Sequence, residues 1–229
     1  MGSADARAFT AIASCFAPVT QREWQDVISK SSWEEFLDTV RSLLDGKRQL
    51  GLSAAPIGAV GRQTPFSEFL SDAEVDALFH PPSFEGKRAF AARHFTGGLP
   101  ASAVPVESLH RPWAEEGANA GEFGLYRSDV ASYMRDLIGQ LGLKFPEMLQ
   151  AHPDHLSVEL GVVAHLLDVG LVDEACLFAR ERFDWLGSYR ATLLGFGEEA
   201  TFYIALIDVL IGIHASLLSA QLAAVSVEV

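Results

Sequence analysis

Apolar side chains recur at helical spacing along most of the chain, and this pattern limits the fold more than any other feature. Residues 33–44 show it clearly, with apolar side chains on one face of a helix at Trp33, Phe36, Leu37, Val40, Leu43 and Leu44. Spacings of three and four residues are those of an amphipathic helix, and no stretch shows the strict alternation of a half-buried strand. The sequence therefore predicts an all-α fold, a helical bundle of about ten helices.

Cap residues and helix breakers mark the predicted ends. Thr20 and Glu23 have the spacing of a capping box, Ser32 and Ser128 are candidate N-caps, and Gly46 is a candidate stop. We expect helices at residues 4–16, 20–28, 32–46, 65–79, 83–95, 128–142, 153–167, 171–183 and 185–194, and from residue 202 onward.

The length of 229 residues suits one domain with a sizeable core, so we assign residues 1–229 to a single domain. Two segments interrupt the helices. The Gly/Ala-rich segment near 51–61 is predicted to be flexible, and the Pro-rich loop 100–113 cannot be helical throughout because proline fixes φ. Exchange of helices through segment 51–61 would give a domain-swapped dimer, so the sequence allows either that dimer or a monomer.

The charge of the chain constrains its partners. There are 30 acidic against 17 basic side chains, a formal charge of −13. No basic stripe is present to displace phosphate counterions, which argues against nucleic acid. The acidic surface instead favours a basic partner, including a peptide with paired arginines.

The remaining composition points to the cytoplasm. No signal peptide is visible, and both cysteines, Cys15 and Cys176, lie in apolar helical contexts typical of buried thiols in a reducing compartment. The apolar run 204–218 contains Asp208, whose ionised form is disfavoured in hydrocarbon by about 2.5–3.5 kcal/mol. We therefore predict a buried terminal helix and no stable membrane insertion.

Residues 152–167 read H-P-D-H-L-S-V-E-L-G-V-V-A-H-L-L and combine a helix start with a polar cluster. Pro153 suits the first turn of a helix, and Asp154 suits its positive dipole end. His155 and Glu159, four residues apart, are neighbours on one face. Three interpretations remain open: a capped helix with a solvated polar end, a metal site that lacks further ligands, and a recognition surface.

The third interpretation gains support from a resemblance. D-H-L-S-V-E-L resembles the D-H-[IL]-x-x-E-L signature of the TorD-like (TorD/DmsD/NarJ) redox-enzyme maturation chaperones. Further matches are Pro105, Glu107 and Ser108 in the E-S loop, the L-G-L turn at 141–143, Trp185, and the aromatic pair at 202–203. Two positions depart from the family pattern: His110 stands where Tyr is usual, and Glu181 stands where His is common. The resemblance covers the chain from about residue 79 onward.

The resemblance implies a cytoplasmic, all-helical chaperone that binds the twin-arginine leader or the apoprotein of a molybdoenzyme during cofactor insertion. It implies no catalytic residue, cofactor or metal. An arginine-bearing leader needs carboxylates beside an apolar floor. The implied peptide-binding set is Asp154, His155, Glu159, Pro105, Glu107, Ser108, Leu109, His110, Trp113 and Phe79. We expect His155 to be neutral at the helix start and Glu107 to be either solvated or paired with a cation.

Two alternatives belong to other classes. The protein is a helical adaptor for an unrelated basic partner, or it is an acid–base enzyme that uses Asp154, His155 and Glu159. No nucleophile signature and no P-loop is present, so nucleotide binding has no support in the sequence.

Overall fold

The computed structural model describes residues 3–44, 72–97, 102–111 and 128–227, and these residues are helical with short connections. The helices are α1 Ala4–Phe16, α2 Gln21–Val27, α3 Lys30–Leu44, α4 Asp72–Leu78, α5 Phe84–His94, α6 Glu107–His110, α7 Asp129–Leu141, α8 Glu147–Gln150, α9 Leu156–Asp168, α10 Val172–Arg182, α11 Leu186–Leu194 and α12 Thr201–Val227. A 3₁₀ turn, Gly197–Ala200, precedes α12. The predicted all-α fold is confirmed.

Helix α9 lies at the centre of the bundle. It packs mainly on α1 and α10, while α12 packs on α3, α10 and α11. The predicted stripe of α9 is buried, with Leu156, Leu160 and Val163 fully enclosed and Leu167 only 5% exposed. Burial of such side chains contributes about 1.5–3 kcal/mol each, so the position of α9 is strongly fixed by its apolar face.

An aromatic cluster joins the first and last helices of the described chain. The ring of Tyr203 in α12 stacks on Phe90 of α5 with centroids 4.1 Å apart, and Phe16 of α1 meets it edge-on at 5.7 Å. Phe95 completes the group at 5.4 Å from both Phe90 and Tyr203. Offset and edge-to-face pairs of this kind add to area burial, so the cluster fixes α5 and α12 against α1.

Several predicted helix ends are confirmed. Thr20 and Glu23 form both hydrogen bonds of the capping box at the start of α2. Gly142 ends α7 in the left-handed conformation, at φ 66°, which glycine adopts without a Cβ penalty. One expected cap is wrong, because α3 begins at Lys30 and Ser32 lies inside it. The segment 51–61, residues 65–71 and residues 98–101 and 112–113 lie outside the described residues.

Helix α12 contains the long apolar run of the sequence together with Asp208. The stretch Gly197–Gln221 is long and apolar enough to cross a membrane, and 56% of its most apolar window is buried inside the protein. Asp208 is buried there and pairs with Arg190, whose Nη2 lies 3.2 Å from Oδ2. The carboxylate is therefore neutralised by a side chain of α11, as a core helix requires.

Both cysteines are free thiols, as predicted, and Cys15 is buried, but the predicted burial of Cys176 is wrong because this side chain is partly exposed. Burial raises the pKa of Cys15 to about 12, with nearby Lys87 acting in the opposite direction. A thiol that stays protonated is a poor nucleophile, so Cys15 behaves as a small core residue.

Candidate recognition site

The loop that contains Glu107 is joined directly to the start of α9. Val106 and His155 form an isolated antiparallel bridge. The amide of Leu156 donates to the carbonyl of Pro105 at 2.8 Å, and the amide of Glu107 donates to the carbonyl of Asp154 at 3.0 Å. Residues 102–110 are all buried. The E-S loop (residues 102–110) and the D-H-x-x-x-E-L segment (residues 154–160) are therefore in direct contact. We call these residues, together with the side chains that pack on them, the buried unit.

Asp154, in the turn before α9, caps helix α6. Its Oδ2 accepts a hydrogen bond of 3.0 Å from the amide of Ser108, in the first turn of α6. The N-cap residue of α6, Val106, has no side chain able to do this. The first amides of a helix need an acceptor, and a carboxylate also suits the positive end of the dipole. Asp154 thus stabilises the loop from 46 residues away.

His155 is the N-cap of α9. Its Nδ1 accepts from the amide of Ser157 at 3.2 Å and lies 2.7 Å from Ser157 Oγ. Burial lowers the pKa of His155 to about 3, helped by the charges of His152 and Lys87. The predicted neutral, hydrogen-bonding role is confirmed. The predicted helix start is wrong, because α9 begins at Leu156 and Pro153 and Asp154 belong to the turn before it.

Glu107 meets two cations of the protein itself. Its Oε1 lies 2.8 Å from Arg111 Nε, and its Oε2 is paired with Arg182 of α10. Arg111 also contacts Asp184 and donates to the carbonyl of Glu181 at 2.8 Å. Of the two expectations for Glu107, solvation is wrong and pairing with a cation is confirmed. Both cations are internal, so the carboxylate is already neutralised.

Glu159 lies against Glu107 at the centre of this unit. Both side chains are 0% exposed, and their carboxyl groups are hydrogen-bonded to each other. Burial, together with the Glu107 charge, holds the pKa of Glu159 well above its ordinary value. Burial also raises the pKa of Glu107, while the hydrogen bond with Glu159, Arg182 and Arg111 lower it. Burial therefore favours the protonated form of Glu159 more strongly than that of Glu107, which faces Arg111 and Arg182.

Aromatic rings cover this unit. Trp185 Nε1 donates to Glu159 Oε2 at 3.3 Å, and the Trp185 ring stacks on His110 with centroids 5.6 Å apart. His110 Nε2 lies 3.2 Å from the carbonyl of Val104, and burial lowers its pKa to about 4. Tyr189 donates to the carbonyl of Ala103 at 3.1 Å. His110, which stands where Tyr is usual in the family pattern, is thus a stacked, hydrogen-bonded ring in this protein.

The other predicted site residues divide between two places. Leu109 is fully buried with Val104 and Val106 beneath the loop, and Ser108 is buried beside them. Phe79 lies beside α3, where its carbonyl accepts from Trp33 Nε1 at 2.9 Å and its ring meets Phe36 at 6.3 Å. Trp113 lies outside the described residues. The solvated polar end expected for residues 154–159 is wrong, since Asp154, His155 and Glu159 are at most 8% exposed.

Three residues of the unit were not predicted: Arg111, Arg182 and Tyr189. Arg111 follows Glu107 by four residues, a spacing at which opposite charges meet on a helix, so the sequence did carry a signal for it. Arg182 and Tyr189 lie 75 and 86 residues from their partners. In the parts of the chain that the structure describes, no three His, Cys, Asp or Glu side chains are placed to hold a metal ion.

One protein family model matches the part of the chain that contains most of this unit. A family model described as "Nitrate reductase delta subunit" matches residues 85–186, a range that includes Glu107, Arg111, Asp154, Glu159 and Arg182. No curated protein and no solved structure matches the chain. The family consists of molybdoenzyme maturation chaperones whose members bind molybdoenzyme subunits. The match over residues 85–186 supports the resemblance of the chain to the TorD-like redox-enzyme maturation chaperones.

Proposed function

We propose that this protein is a cytoplasmic chaperone for one molybdopterin-dependent oxidoreductase. It binds the client's twin-arginine leader, its apoprotein, or both, while the cofactor is inserted and before export. The observation that carries the proposal is the family match over residues 85–186, which includes Glu107, Asp154, Glu159 and Arg182. The formal charge of −13 supports attraction of an arginine-bearing peptide.

The geometry changes the role we assign to the predicted carboxylates. Glu107 is fully buried and already holds Arg111 and Arg182, so a leader arginine would have to displace an internal one. Leaving a buried cation without its partner is costly, about 3–5 kcal/mol. We therefore propose that Glu107, Asp154 and Glu159 act as positioning residues. They fix the loop that leads toward Trp113, whose contact with the leader remains a prediction.

Burial also weighs against the acid–base enzyme. Asp154, His155 and Glu159 all have internal hydrogen-bond partners and are nearly inaccessible to a substrate. A general acid or base must come within hydrogen-bonding reach of the group it protonates or deprotonates. The chaperone is the function that this arrangement supports better.

Calorimetric titration of the full chain tests the proposal. The ligands are twin-arginine leaders of molybdoenzymes from the same organism, each paired with its Lys-Lys variant, and the corresponding apoproteins. We expect one client to bind tightly and its leader to lose affinity in the Lys-Lys form, because lysine lacks the planar bidentate fork of arginine. Binding to neither leaders nor apoproteins would overturn the proposal.

Two further arms separate the alternatives. Binding that disappears at high salt and shows no preference among basic peptides would indicate the adaptor. The double variant Asp154→Ala with His155→Ala tests the positioning role, with circular dichroism to confirm that it folds. A folded variant with unchanged leader affinity would remove these residues from the recognition site.

A further inference from the structure

A cavity of about 500 Å³ with a mixed apolar and polar lining lies beside the start of α9, next to the buried unit but separate from its carboxylates. It is formed by the second half of α7, residues 143–150 and the first turn of α9. Its lining residues are Arg135, Ile138, Leu143, Lys144, Phe145, Leu149, Gln150, Pro153 and Val158. A volume of this size falls within the range of ligand and peptide side-chain pockets.

The floor of the cavity depends on a glycine. Phe145 packs against the backbone of α9 at Gly161, where an added Cβ would lie 2.7 Å from the ring. The turn that brings Phe145 there is fixed by the left-handed Gly142, with the amide of Leu143 donating to the carbonyl of Ile138 at 3.1 Å. The position of the Phe145 ring in the cavity therefore depends on the backbone at Gly142 and Gly161.

The apolar surface continues outside the cavity. Met148, in α8 between the lining segments, is 63% exposed, while its neighbour Leu149 is buried. Exposed methionine is common at surfaces that accept varied peptide side chains because its thioether chain is flexible and polarizable. A surface that extends beyond the cavity favours a peptide segment over a small molecule that would fill the cavity alone.

The rim of the cavity is cationic. Arg135 and Lys144 both line it, and neither forms an ion pair with any residue of the described ranges. Asp136 and Glu147 are their neighbours in sequence but pair with neither. Two cations that pair with no described residue, beside the apolar side chains of this cavity, are complementary to an anionic group next to an apolar anchor.

We infer that this cavity docks an apolar helical segment of the client that carries carboxylates beside its apolar face. The inference rests on the proposed function and deepens it: the segment is opposite in charge to the twin-arginine motif, so it belongs to a different part of the client. The apolar anchor enters between Ile138, Phe145 and Val158, and the carboxylates meet Arg135 and Lys144.

The test uses fluorescence anisotropy with two labelled synthetic probes. One is an amphipathic helical peptide with Leu and Phe at positions i, i+3, i+4 and i+7 flanked by Glu, and the other replaces each Glu with Lys. We expect the full-length protein to bind the Glu peptide at least tenfold more tightly, a difference of about 1.4 kcal/mol. The double variant R135E/K144E should reverse this preference. The matched control K30E/R88E changes two exposed cations elsewhere and should bind as the unaltered protein does.

Several outcomes would overturn the inference. One is equal binding of both probes, and another is an unchanged preference in R135E/K144E. A third is that millimolar octanoate and millimolar inorganic phosphate displace the Glu peptide equally well, which would indicate a small-anion site. The leader titration is run on the same variants. Leader or apoprotein binding without any Glu-peptide binding defeats this inference alone, whereas Glu-peptide binding without either client ligand defeats the proposed function alone.

Discussion

Glu107 and Glu159 place two carboxyl groups in contact inside the protein, where neither side chain is exposed. Burial and the Glu107 charge hold the pKa of Glu159 well above its ordinary value, which favours the protonated form of Glu159. Glu107 lies opposite Arg111 and Arg182, while Glu159 accepts a hydrogen bond from Trp185. These contacts link the E-S loop, α9, α10 and α11.

The first prediction concerns the pH dependence of this pair. Because the pKa of Glu159 is raised in the folded state, the native protein retains a proton that the unfolded chain loses above about pH 4.3. Its contribution to stability is complete below that pH and is lost as pH rises through the folded pKa. Chemical denaturation at several pH values should show E159Q increasingly more stable, relative to the unaltered protein, as pH rises. A constant difference across pH would contradict this assignment.

The variant E107Q should destabilise the protein, whereas E159Q should stabilise it at higher pH. It removes the charge that neutralises Arg111 and Arg182, so we expect a loss of about 3–5 kcal/mol in the free energy of unfolding. Urea denaturation at pH 7 measures this loss. The control E198Q changes an exposed glutamate and should shift stability by at most about 0.5 kcal/mol. Equal effects of E107Q and E159Q would show that the proton is not assigned to Glu159.

Alanine substitutions at two helical glycines should change the stability of the protein in opposite directions. G161A places a Cβ 2.7 Å from the Phe145 ring and should destabilise the protein by about 1–3 kcal/mol. G139A meets nothing within 4 Å and should stabilise by up to about 1 kcal/mol through helix propensity. In thermal or urea unfolding, the double variant G161A/F145A should lose less than the sum of its single variants. Additive losses would mean that the ring does not rest on Gly161.

The Arg190–Asp208 pair should be asymmetric. Asp208 has only 6% of its side chain exposed, against 28% for Arg190. R190A therefore leaves a buried, unpaired carboxylate and should cost about 3–5 kcal/mol. D208A leaves an arginine that reaches water and should cost about 1.5–3 kcal/mol. Urea unfolding measures the loss in the free energy of unfolding for both variants, with R88A as an exposed control. A larger loss in D208A than in R190A would disprove the asymmetry.

His155 should not titrate in the physiological range. With a pKa of about 3, its imidazole remains neutral between pH 5 and 8, which NMR of the ring carbons measures directly. H155N retains an N-cap acceptor, whereas H155A leaves the amide of Ser157 without one and should lose about 1 kcal/mol. H80A, at an exposed position, is the control. Proton uptake by His155 near pH 6 would contradict the burial argument.

The sequence by itself determined the helices and many of their ends, because these depend on neighbours a few residues apart. The stripe of α9, the capping box of α2 and the Gly142 stop all follow from local spacing. The same is true of the D-H-x-x-x-E-L string that predicted the family. The neutral state of His155 was also expected from its place at a helix start, although burial is the main cause of its lowered pKa.

Tertiary structure decided how the polar residues are used. Asp154 reads as part of a solvated helix end, yet it caps a helix 46 residues away, and Glu107 meets Arg182 from 75 residues away. Local spacing cannot specify such partners, since only the tertiary fold brings α6 next to the turn before α9 and next to Arg182 at the end of α10. That packing also buries the carboxylates, which changes their predicted role from receiving a ligand's arginines to holding the protein's own.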